Sequence, residues 1–294
     1  MSDLSAAPGA PRSQRLQQLF KWTVYILLIV NFGLYLVEDM TQSIHTLHAG
    51  STLLDMTSSF ATSAAVLAWF MLLISLELET YAIDDDAWTR RIELLAHGAR
   101  VVSFLIIGHF VFALVNWAVE IETERPLEGI SSPCEIIEDD LSWSSNLDYQ
   151  TLTRENCNTL TDETQLYQLG KDPVITDRHG LLLAQRLAWG DVLEIFAWLI
   201  IIVAMEIMVR LQSRGVTGGR LFRMVRGTRF TFYGVLFCLG FWWASLGHWL
   251  YLWDTFLWIA GFGAIEMNLR LWREELRNKQ VETTDLDAAR GATD

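Results

Sequence analysis

The stretch Arg229-FTFYGVLFCLGFWWASLGHWLYLWDTFLWIAGFGAIEMNL-Arg270 is 42 residues long, and Asp254 and Glu266 are its only charged residues between the terminal arginines. As a single helix it would reach about 63 Å at 1.5 Å per residue, twice the ~30 Å of bilayer hydrocarbon. The stretch therefore predicts a hairpin, with its turn between Gly247 and Asp254 and Gly247 as the expected break.

Outward from this hairpin, other segments reach the roughly 20 mostly apolar residues that one crossing needs. Six qualify in all: Lys21–Glu38, Thr57–Tyr81, Arg100–Glu120, Asp191–Arg210, Phe230–Gly247 and Trp253–Trp272. Lys and Arg set their orientation, because cytoplasmic loops carry an excess of both. With the N-terminus inside, 17 of the 22 basic residues fall on inner segments. The other five, Arg125, Arg154, Lys171, Arg178 and Arg186, share one long outer loop. The first crossing reads as a signal anchor, since it follows a polar tail and no small-residue cleavage site comes after it.

The expected fold is an all-α polytopic membrane protein of six transmembrane helices in three helical hairpins, with one mostly irregular periplasmic loop. The expected location is a bacterial inner membrane, with both termini cytoplasmic. Residues 1–20 form an N-terminal tail and 21–120 the first three crossings; 121–190 form the acidic outer loop. Residues 191–272 hold the last three crossings with a basic connector, and 273–294 a C-terminal tail.

Composition agrees. Of 294 residues 51% are hydrophobic and only 19% charged, against about a quarter in soluble domains. The net charge of −13 argues against nucleic acid, whose phosphates call for a basic face.

The outer loop carries 13 acids against five bases from Glu122 to Arg186. Cys134 and Cys157 both lie in it, on the oxidising side, and a disulfide between them is the natural reading. It would staple a loop with too little apolar sequence to fold firmly alone. On the inner side, Trp88, Ile92 and Leu95 predict a short interfacial helix, preceded by Asp84-Asp85-Asp86. The connector Arg210–Arg229 has six Arg and no acid, and anionic inner-leaflet lipids are its simplest partner.

The hairpins resemble one another. Their first helices begin Lys21-x3-Tyr25, Arg100-x3-Phe104 and Arg229-x3-Tyr233. Their second helices carry Trp69…Glu77, Trp198…Glu206 and Trp258…Glu266, each Trp eight residues before its Glu. The pattern predicts three parallel hairpins about a pseudo-threefold axis.

Charged groups in hydrocarbon are expensive, so Glu77, Glu206 and Glu266 are the prime candidates for function. As ion or proton ligands they would count Arg210 and Arg270 as counter-charges and gates, with His109 as a relay near mid-membrane. Together with Glu79 they would leave a surplus of two negative charges, which suits proton uptake or cation binding. The plainer reading is that Glu206–Arg210 and Glu266–Arg270, both i, i+4 pairs, anchor helix ends. His45, His48 and His248 are metal candidates near the outer face, with solvated histidines as the plainer reading. The sequence implies no cofactor. It contains no HExxH, GxSxG or P-loop motif, and an enzyme is not indicated.

Two functions follow. One is a channel or transporter for a small cation or proton, using the intramembrane glutamates. The other is a non-conducting assembly, scaffold or sensor module that binds a periplasmic protein through residues 121–190.

Overall fold

A computed structural model describes residues 12–48, 50–78, 89–216 and 218–267. Its helices are α1 (Arg12–Thr46), α2 (Leu53–Ser59), α3 (Ala61–Glu77), α4 (Arg90–Glu122), α5 (Arg178–Ser213), α6 (Arg220–Ser245) and α7 (249–267). Three helices are long and apolar enough to cross a membrane: Leu16–Thr46, Arg90–Glu122 and Arg178–Gln212. The bent pair Leu53–Ser59 and Ala61–Ser75, which turns by 64°, makes a fourth if it is one span.

These helices run past the expected crossings. At 1.5 Å per residue α1 is about 52 Å long and α5 about 54 Å, well beyond ~30 Å of hydrocarbon. The excess comes from polar helix formers at the ends, which no transfer-energy reading places in a membrane. Helix α4 takes in Ile92 and Leu95, so these residues begin a long continuous helix and not the separate interfacial one expected. Trp88 and Asp84-Asp85-Asp86 lie outside the described residues.

Contacts divide the chain into two compact units. The first gathers described residues within 1–29, 71–100 and 197–294. Its last hairpin breaks where the sequence places the break: α6 ends at Ser245 and Gly247 takes φ +99°, a left-handed conformation that suits glycine. Across the turn, Trp243 stacks on Tyr251 with ring centroids 4.4 Å apart. Helix α6 buries Phe222, Val225, Arg229, Tyr233, Leu236, Gly240 and Trp243, an i, i+3/i+4 stripe facing the bundle. Gly261 lets α7 close on its neighbours: a Cβ there would come within 3.2 Å of Leu73 and 3.3 Å of Leu28.

The second unit comprises 30–70 and 101–196 and holds a folded insertion between α4 and α5. Here the expected all-α fold with a mostly irregular loop is wrong. A 3-10 turn (Pro133–Asp139) precedes four short strands, β1 (Ser142–Ser145), β2 (Asp148–Thr151), β3 (Leu166–Gln168) and β4 (Val174–Asp177). They form one sheet in the order β2-β1-β4-β3. The β1–β2 hairpin turns on Asn146 and Leu147, both at positive φ, as a two-residue connection with the strands' twist requires. Trp143, Ile136, Leu152, Leu166 and Ile175 form its core, and the Cys134–Cys157 disulfide closes it, with Cα atoms 5.0 Å apart. Strands of three or four residues are too short to show a period-2 pattern, which is why the sheet escapes a sequence reading. Strand β4 leads directly into α5, whose first turn is capped by Asp177, its Oδ1 accepting from the Gly180 amide at 2.7 Å.

Candidate functional site

The three candidate glutamates all belong to the first unit, and each meets a base on an earlier helix, Lys21 of α1, Arg100 of α4 or Arg229 of α6. Lys21 and Tyr25 stand one turn apart on α1 and reach Glu77 of α3 together. Lys21 Nζ pairs with Oε1, and the Tyr25 hydroxyl donates to Oε2 at 3.1 Å. The pair α6 and α7 has the same arrangement. Arg229 and Tyr233, again four apart, reach Glu266 of α7: Arg229 Nη2 lies 3.1 Å from Oε2, and the Tyr233 hydroxyl donates to Oε1 at 3.2 Å. Side chains four residues apart on a helix lie on one face, which is what lets a base and a phenol share one carboxylate.

The pair α4 and α5 differs. Arg100 Nη1 of α4 lies 3.6 Å from Glu206 Oε1 of α5. Phe104 stands where the other hairpins have tyrosine and has no hydroxyl to offer. The second oxygen instead faces Arg210, with Nε at 3.9 Å from Oε2. The Arg210 side chain is 76% exposed, so this contact contributes little, whereas the Lys21 and Arg229 side chains are only 7% and 6% exposed. Arg229 also directs Nη1 at the Met205 sulfur, 2.9 Å away.

This geometry revises the candidate roles. The counter-charge of Glu266 is Arg229; Arg270 lies outside the described residues, as does Glu79. Each of the three described glutamates faces a base from another helix; the expected surplus of two also counts Glu79 and Arg270, which lie outside the described residues. The sequence did single out these bases, but as marks of a repeat. Pairs across two helices are invisible to local spacing, whereas an i, i+4 arginine is not.

The remaining candidates make other contacts. His109 lies on α4 in the other unit, and its Nε2 is buried with no hydrogen-bond partner among the described residues. His45 Nδ1 is 2.9 Å from Ser142 Oγ, and its ring stacks on Tyr149 at 5.8 Å, so it docks the end of α1 onto the sheet. His48 bonds to Ser51, and His248 packs against Trp243 and Tyr251. Among the described residues no group of three His, Cys, Asp or Glu is gathered to hold a metal.

The outer acids have local uses. Asp39 is 5% exposed and accepts from the Ser63 amide at 2.9 Å and its hydroxyl at 2.7 Å, capping the start of α3. Asp55 completes a capping box with Thr52. In the insertion, burial and the nearby Glu120 and Asp55 push the Asp172 carboxyl up to about 6. A carboxyl raised in the folded state binds more protons there than when unfolded, so its contribution to stability falls as pH rises from about 4 to 6. Asp172→Asn is therefore expected to raise the melting temperature at pH 7.5. The gain should shrink toward pH 4, as melts at the two pH values would show.

No protein-family model, curated protein or solved structure matches this chain. The class is therefore set by its own geometry. It is a mostly helical protein with helices fit to span a membrane, basic–acidic clasps between helices, and an inserted disulfide-closed sheet domain.

Proposed function

We propose that the chain is a six-span bacterial inner-membrane module that conducts no ions and presents its acidic inserted domain to a periplasmic protein. The observation that carries this reading is that Glu77, Glu206 and Glu266 are each matched by a base. A carboxylate already neutralised has little charge left to attract a cation, and a proton arriving there must displace an ion pair. The clasps hold hairpins; the exposed chemistry lies in the insertion, which combines a firm core with an excess of acid.

The six crossings add the bent pair, α6 and α7 to the three plain spans. At the helical rise α6 is about 39 Å long and α7 about 28 Å, close to the hydrocarbon thickness. Their Trp, Tyr and Gly lower the hydropathy but are at home in membrane bundles and interfaces. The hairpin repeat belongs to the same reading. Its support is that the three base–glutamate pairs fall on equivalent positions of the three sequences, two of them with the same tyrosine four residues on.

Reconstitution in liposomes tests the reading. Flux of protons, Na⁺, K⁺ and Mg²⁺ is expected to match protein-free liposomes, for the native chain and for Glu→Gln at positions 77, 206 and 266. Glutamate-dependent flux of any of these ions would establish the transporter instead. In cells, photo-crosslinkers placed at the exposed Gln150 and Thr151 should capture a discrete periplasmic protein; absence of any discrete product would count against the module.

A further inference from the structure

Helix α6 begins with a surface that the clasps do not use. Arg220, Arg223, Arg226 and Arg229 recur every third residue. Steps of three residues fall short of a full helical turn by about 60°, so the fourth arginine lies about half a turn from the first. Burial follows this geometry. Arg220, Arg223 and Arg226 are exposed, whereas Arg229 has rotated into the bundle and is held by Glu266. Leu221 and Met224, 54% and 60% exposed, occupy the other flank of the same outer face, while Phe222 and Val225 pack inward.

The outer face is thus divided lengthwise, arginine on one flank and apolar side chains on the other. No acid occurs anywhere between Arg210 and Arg229. Among the described residues, none of Arg220, Arg223 and Arg226 forms an ion pair; Arg226 lies over the Phe230 ring at 5.6 Å. We propose that the first two turns of α6 bind anionic phospholipid of the inner leaflet. Arg220, Arg223 and Arg226 hold the phosphodiesters, and Leu221 and Met224 reach the acyl chains beside them. A soluble anion would satisfy the arginines and leave the two apolar side chains in water; a phospholipid meets both flanks. The assignment rests on the six-span reading, which carries α6 into the membrane from this end.

The test uses the full-length protein in mild detergent, with bound lipid counted by native mass spectrometry. Phosphatidylglycerol is expected to bind in preference to phosphatidylcholine. Its affinity should fall at least ~10-fold in the triple variant R220Q/R223Q/R226Q, and persist in Arg154→Gln, an exposed arginine of the insertion. Unchanged phosphatidylglycerol binding by the triple variant overturns the proposal. So does equal binding of phosphatidylcholine, or displacement of the lipid by millimolar inorganic phosphate. Retention in carbonate-washed membranes is scored separately; release of the native chain there would sink the six-span reading whatever the lipid count.

Discussion

Glu266→Gln is expected to destabilise the purified protein by about 3–5 kcal/mol, the cost of leaving one member of a buried ion pair uncompensated. Arg229 is 5% exposed and lies 3.1 Å from Glu266. Once the carboxylate is neutral, the guanidinium keeps its charge, because arginine does not deprotonate in proteins, and its remaining contacts are poor substitutes. Its Nη1 faces the Met205 sulfur and its Nε finds no acceptor among the described residues. The double variant Arg229→Leu/Glu266→Leu removes both charges, and most of the loss should be recovered, as for buried pairs replaced by apolar side chains. Glu206→Gln should cost less, because its cations stand at 3.6 and 3.9 Å and Arg210 is largely in solvent. Thermal melting in detergent measures all three. A transport site predicts the reverse pattern, with flux lost at Glu266→Gln and little change in melting, so one pair of measurements separates the two roles.

The clasps also show how far the sequence reaches. Of the six crossings that apolar run length predicts, three are helices long and apolar enough to span a membrane, with the bent pair a fourth if it is one span, and the length of Arg229–Arg270 put the break at Gly247. Both follow from local composition. The recurrence of Lys21, Arg100 and Arg229 at the starts of hairpins was legible too, as was the recurrence of Glu77, Glu206 and Glu266 near their ends. That these six residues meet was not, because the partners stand 56, 106 and 37 positions apart and no spacing rule links them. The local pair Glu206–Arg210 was legible because it satisfies a helical spacing, and it is present at 3.9 Å, but spacing alone does not show that the Arg210 side chain is mostly in solvent. The sheet was missed on different grounds. Its buried residues, Trp143, Leu166 and Ile175, are scattered among Ser, Thr, Asp and Gln in strands too short for a pattern to repeat.

Cys134→Ser, alone or with Cys157→Ser, is expected to cost the inserted domain roughly 3 kcal/mol, the chain-entropy value for a closed loop of this size. The bond spans 23 positions and joins the 3-10 turn to the loop after β2. Cys157 is itself part of the core, 2% exposed and packed with Ile136, Trp143 and Leu152, and Cys134 packs against the same cluster. Because the sheet has only four short strands, this is a large fraction of what such a core supplies. The effect should be local. Proteolysis within 123–177 should accelerate in the cysteine variants, while the membrane helices melt as before, since the Lys21–Glu77 and Arg229–Glu266 clasps lie in a unit of their own. The native chain treated with reductant should behave like the variants. Expression in a strain unable to form disulfides on the outer side should do the same, which also tests which side of the membrane the insertion faces. A domain that resists protease equally with and without the bond would mean that the sheet's core suffices. The staple would then be dispensable for the fold of the inserted domain.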